Sequence, residues 1–132
     1  MKMQVFSVAP TSAVTTSVSV SQTPTAAAGF TINGTLATAG VSTMAFARRI
    51  RMTTVGDESA KTFTITGTNR WGVSISETIT APNATTADTV ADYLTVTVVA
   101  VSANFDGAAT IGHSVLVDSP WYVLDTHKNP FA

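Results

Sequence analysis

A chain of 132 residues without cysteine is long enough for one domain with a real core, and it excludes a disulfide framework and any thiolate metal site. Net charge is −1 and charged residues are 11% of the chain, against about 25% in typical soluble domains. Three of the seven basic residues fall in Arg48-Arg49-Ile50-Arg51, which leaves no general basic footprint for nucleic acid, and no apolar run approaches the roughly 18 residues of a membrane helix.

The chain holds 24 Thr and 16 Val but only 4 Leu. Thr and Val are stiff at χ1 and favour strands, so the expected fold is all-β. Met1 to Ala9 is apolar at Val5, Phe6 and Val8 until Pro10 interrupts it. Lys2 and Ala26-Ala27-Ala28 mimic the ends of a secretion signal, but the stretch between them is too rich in Ser and Thr for an apolar h-region. Ala13 to Val20 alternates, with Val14, Val18 and Val20 on one side and Thr15, Ser17 and Ser19 on the other. Ser21 to Gly29 reads as a loop or extended arm. In Phe30 to Ala39, Asn33-Gly34 favours the positive φ of a tight hairpin turn.

Ala45 to Thr80 reads as three strands joined by polar turns. The first carries Phe46, Ile50 and Met52 on one side. The second, Lys61 to Thr66, alternates Phe63 and Ile65 with Thr62, Thr64 and Thr66. The third, Trp71 to Thr80, sets Trp71, Val73, Ile75 and Ile79 against Ser74, Ser76, Thr78 and Thr80. A period of two marks strands with one face in a core, which places Trp71 in the core. Gly56-Asp57-Glu58-Ser59 and Gly67-Thr68-Asn69-Arg70 have turn chemistry. Ala81 to Asp92 is open between a short helix capped by Asn83 and a crossing loop. Tyr93 to Ser102 is apolar on both faces near its end, as in a strand buried from both sides. Asn104 to Gly107 is a turn, and Thr110 to Val117 alternates again. About eight strands at a spacing near ten residues is the pattern of an antiparallel β-sandwich or jelly roll. The expected parts are an N-terminal strand and arm (1–29), a sandwich core (30–118) and an aromatic tail (119–132).

Candidate chemistry is sparse. His113 and His127 are the only imidazoles, with Asp118 and Asp125 near them in sequence, but a zinc site needs three or four convergent ligands and no HxH or HExxH spacing is present. His113 falls on an apolar strand face and is expected to be a satisfied core or interface histidine. No GxSxG elbow occurs. Asp57 and Glu58 are adjacent in a turn, so they are expected to point apart into solvent rather than flank a cleft. No cofactor and no enzymatic activity are expected. Arg48 and Glu77 fall on the apolar register of their strands, where a charge must reach water, sit at a strand end or be paired. They are expected to lie near each other or serve a protein interface, unless each marks a strand end or bulge. Trp121, Tyr122 and Phe131, in a proline-bounded tail, are candidate anchors for a partner, since Trp and Tyr are enriched at hot spots.

Three segments together carry a resemblance: Arg48-Arg49-Ile50-Arg51, then Thr62-Phe63-Thr64-Ile65-Thr66-Gly67-Thr68-Asn69, then Ser76-Glu77-Thr78-Ile79-Thr80. This order is similar to that of small head proteins of tailed bacteriophages, whose pattern is followed by an aromatic-led Val/Thr strand, here Tyr93 to Val101. The likeness spans Ala45 to Ser102, about half the chain. It implies a capsid decoration, or cement, protein with a jelly-roll-like sandwich on the outer surface of a virion head. Such proteins are made in the host cytoplasm, assemble as dimers or trimers and clamp neighbouring major capsid protein subunits. Arg48, Arg49, Arg51 and Glu77 would join the tail aromatics as interface residues. The chain departs from the family pattern after Asn69, where Arg70-Trp71 replaces a polar Asx-Gly tip. A rival reading is a glycan-binding β-sandwich of a phage tail or fibre, with Trp71 or Trp121 as a stacking platform.

Overall fold

Nine strands and no helix form over residues 12–115, the part of the chain that the computed structural model describes. In chain order they are β1 (Val14–Gln22), β2 (Ala37–Thr38), β3 (Val41–Arg48), β4 (Ile50–Thr54), β5 (Thr62–Thr68), β6 (Ser74–Thr80), β7 (Thr86–Asp88), β8 (Tyr93–Val101) and β9 (Ala109–His113). One sheet has the order β1-β9-β4-β7 and the other β2-β3-β8-β5-β6. The antiparallel pairs are nested: β5 with β6, β4 with β7, β3 with β8, β1 with β9. The chain is thus one long hairpin ribbon whose successive strands alternate between two facing sheets. That is the jelly roll, a double-sheet solution to the problem of exposed strand edges, with β2 as an added edge strand.

The core lies between the sheets. Phe63, Ile65, Tyr93, Val96 and Val99 of the five-stranded sheet meet Val18, Ile50, Met52 and Ile111 of the other, each buried. Side chains of this size each contribute about 1.5–3 kcal/mol on burial. The opposite face of β5 and β6 presents Thr and Ser from every second position, as the alternation of Thr62 to Thr80 requires.

Several local expectations are corrected. The first central strand is two strands, β3 and β4, which belong to different sheets and meet at a corner at Arg49. The strand expected from Trp71 begins at Ser74, and Trp71 and Val73 are 73% and 56% exposed rather than core. The tight hairpin turn is not at Asn33-Gly34. Gly34 has ordinary φ and is needed for close approach, since a Cβ there would lie 2.3 Å from the Thr16 carbonyl oxygen. The turn is Ala39-Gly40, with φ of 53° and 80° between the paired residues Thr38 and Val41, the positive-φ pair of a two-residue hairpin loop.

Ala81 to Asp92 forms neither a helix nor a plain loop: Asn83 bridges Asp57, and β7 pairs with β4. β8 is buried on one face only. A bulge sets Thr66 against Val98 but Gly67 against Val96, which turns both Val96 and Val99 inward and leaves Val98 50% exposed. β1 is bulged as well, so Ser17, Val18 and Ser19 are buried in succession while Val14 and Val20 stay partly exposed.

Candidate functional site

The tip of the ribbon is the loop between β5 and β6. Asn69 organises it. Its side-chain Oδ1 accepts hydrogen bonds from the backbone N–H of Trp71 (2.9 Å) and Val73 (3.0 Å). Its own N–H donates to the Val73 carbonyl, and Gly72 N–H donates back to the Asn69 carbonyl at a φ of 78°. An Asx turn of this kind replaces missing strand bonds with local ones. The Trp71 indole is thereby held out into solvent, with the Arg70 guanidinium 4.6 Å from the ring centre.

Beside the indole lies an open groove of about 240 Å³, floored by Ala47 and Ile75 and walled by Ala91 and Asp92 with Asn69 and Arg70. Glu77 builds that wall. Its carboxylate accepts from the N–H of Val90 (Oε1, 2.7 Å) and Ala91 (Oε2, 3.0 Å), tying the β7–β8 loop to β6. The same charge, with burial as the larger cause, pushes the Tyr93 hydroxyl up to about 12; it remains a donor, 3.2 Å from the Ile65 carbonyl oxygen.

The three arginines do not form one patch. Arg48 ends β3, is 3% exposed, and sets its guanidinium 5.2 Å from the Phe46 ring centre. Arg49 occupies the corner between the sheets, where its carbonyl accepts from Ser114 N–H. Arg51 makes a two-pronged ion pair with Asp88 across β4 and β7, Nε to Oδ1 at 2.6 Å and the second nitrogen to Oδ2 at 2.7 Å. The hydrogen bonds to Asp88, more than its charge, raise the Arg51 pKa. Glu77 sits in mid-strand with its oxygens on backbone donors, while Arg48 marks a strand end. Trp121, Tyr122 and Phe131 lie outside the described residues, as do His127, Asp118 and Asp125.

At the opposite end of β5, Glu58 is buried, against the expectation that it is solvated. Oε1 accepts from the N–H of Asp106 (2.9 Å) and Gly107 (2.7 Å), and Oε2 from Lys61 Nζ (2.5 Å). Asp57 is exposed and turned to Ser59, whose hydroxyl lowers its pKa. His113 is buried, but its Nδ1 has no hydrogen-bond partner, so it is a core histidine without full satisfaction. Burial first, and the charge of Arg48 second, lower its pKa. Among the described residues, His, Asp and Glu side chains nowhere gather in a group of three that could hold a metal ion.

The residues that sequence reasoning missed are Asn69, Arg70 and Trp71 as a single exposed unit. The signal was present. Asn69 and Gly72 flank the tryptophan with turn chemistry, and that outranks the apolar alternation that runs through it. Comparison with known proteins finds no matching family model, no similar curated protein and no similar solved structure.

Proposed function

We propose that the chain is a non-enzymatic structural protein of a tailed-phage virion, which decorates the head and stabilises it by bridging major capsid protein subunits. The observation that carries this reading is the tip. Trp71 projects from a loop already locked by Asn69, with Arg70 stacked on it. Trp and Arg are the residues most enriched at binding hot spots, and an anchor ordered before docking loses little entropy on binding. The low charge fraction and the likeness of Ala45 to Ser102 to small head proteins point the same way. Copies repeated on a shell gain avidity from effective concentration, so each contact can be modest.

The rival is a glycan reader. It is favoured by one feature, the groove beside the indole, where a sugar ring would stack on Trp71 next to Asp92 and Arg70. One experiment separates the two. Purified protein is mixed with undecorated heads, and co-sedimentation and heat resistance of the heads are measured. Binding is expected, with an affinity loss on the order of thirtyfold in Trp71→Ala, the size of a hot-spot truncation. Absence of binding, or binding indifferent to Trp71→Ala, refutes the reading. A sugar-induced fluorescence change that disappears in Trp71→Ala would establish the rival instead.

A further inference from the structure

The two open sheets end in four edge strands, β1, β7, β2 and β6. A strand edge presents N–H and C=O groups that pair with any extended chain unless the edge is short, bulged or covered. β2 is two residues long and β7 three. Beyond β2, β3 shifts its register against β8 between Thr43 and Arg48. β1 is long, but it is bulged, and the carbonyls of Thr16, Ser17 and Val18 accept from the N–H groups of Thr35, Leu36 and Gly34. β6 is the exception. Its seven residues pair with β5 from Ser74 to Thr80 without a register shift. It holds neither Pro nor Lys, and its outer side makes no backbone hydrogen bond to any of the described residues. Ile75 and Ile79 pack against the core yet stay half-buried, with no strand beyond them. The one charge is Glu77. Its oxygens accept from the N–H groups of Val90 and Ala91, which leaves about half of the roughly four acceptor sites of a carboxylate.

We infer that β6 is a strand-acceptor edge, completed by an extended segment of a second protein. An extended polypeptide is what matches a row of alternating backbone donors and acceptors, which is the chemistry of strand addition. Side chains opposite each other on neighbouring strands share a face, so β6 also sets the sequence of the segment. Opposite Ile75 and Ile79 it is apolar. Opposite Glu77 it is basic, reaching the remaining carboxylate sites. On the outer face, opposite Ser76 and Thr78, it is Ser or Thr, extending the hydroxyl pairs Thr64–Thr78 and Thr66–Ser76. A second copy of β6 does not fit this pattern. The antiparallel register that pairs all seven residues of two copies sets Glu77 against Glu77, and like charges directly opposite each other are destabilising. The inference rests on the sheet edge and not on Trp71 or the virion reading.

The probe is the synthetic peptide Ser-Val-Thr-Lys-Thr-Val-Ser, capped at both ends, which presents the same pattern in either strand direction. It is titrated into the isotope-labelled full chain and followed by nuclear magnetic resonance. It should bind with a dissociation constant below about 1 mM, the weak end of specific recognition. The amide signals of Ser74 to Thr80 should shift while those of β1 and β7 stay in place. N-methylation at alternate peptide residues removes one set of N–H donors at a time. Only one set faces a neighbouring strand, so one methylated peptide should lose affinity about tenfold or more and the other should keep it. Replacing the central Lys by Glu should weaken binding on the order of tenfold, since it turns an opposite-charge pair into a like pair. Absence of binding at that concentration, shifts centred away from β6, equal losses in the two methylated peptides, or indifference to the central charge would overturn the proposal. So would β6 amide shifts on dilution of the free chain, which would make a second copy the occupant.

Discussion

Truncating Glu58 tests whether a buried carboxylate joins the two loops at the base of the ribbon. In Glu58→Ala the backbone N–H groups of Asp106 and Gly107 lose their shared acceptor, and Lys61 keeps only Asp106, 2.7 Å from its ammonium. Hydrogen bonds to a charged acceptor are worth about 1.5–3 kcal/mol each. Asp106 is exposed and Gly107 half-buried, so water reaches part of the vacated space and the lower end applies to each. The expected loss is about 3 kcal/mol. Unfolding entropy near 2.1 cal/mol/K per residue gives about 0.28 kcal/mol/K over 132 residues, so the melting temperature should fall by about 11 °C. Glu58→Gln keeps an acceptor for both N–H groups and should lose less than half as much. Calorimetry and urea unfolding at neutral pH measure both. A fall of under about 3 °C in Glu58→Ala, by the same entropy scale, or equal losses in the two variants, would refute the assignment of the carboxylate to those donors.

Two further outcomes follow from the backbone and from His113. Ala39 is an L-residue at a φ of 53° in a two-residue hairpin turn, a conformation that Asn tolerates better; Ala39→Asn should gain about 0.5 kcal/mol in urea unfolding. His113 binds its proton more weakly folded than unfolded, because of burial and the charge of Arg48, so its contribution is present above the unfolded pKa near 6.5 and is lost as pH falls below it. The slope approaches 1.4 kcal/mol per pH unit for one proton. Urea midpoints at pH 7.5 and 5.5 should therefore differ more in the wild type than in His113→Gln, and equal differences would show that His113 does not carry the effect.

The sheet was legible in the sequence because alternation reports which face of a strand is buried. It does not report which sheet a strand joins. Ser42, Met44, Arg48, Ile50, Met52 and Thr54 keep one parity straight through the corner at Arg49, so two strands in different layers read as one. Where parity does break, as at Val96 and Val99, the cause is a bulge beside Gly67, at which a Cβ would lie 1.9 Å from the Thr95 carbonyl oxygen. That closeness depends on a residue about thirty positions away and leaves no local mark. Glu58 was illegible for the same reason. Its neighbours in sequence are polar turn residues, Lys61 among its donors, while the two backbone donors that bury Oε1 come from the β8–β9 loop.

The candidate site was only partly legible, and the nested topology explains how its position can carry function independently of the fold. The β5–β6 loop closes the innermost pair of the ribbon and is fastened by its own Asn69 bonds. Trp71 and Arg70 lie outside the ladder from Thr62 to Thr80, so their substitution should leave it intact, whereas substituting Glu58 or Gly67 should disturb contacts between distant segments. A rigid scaffold with a self-contained loop at its tip can change what it binds without changing how it folds. By the same reasoning Glu77 is the link between the two. It belongs to the ladder, yet its carboxylate holds the β7–β8 loop that walls the groove. Its replacement would loosen that wall before it weakened the sandwich.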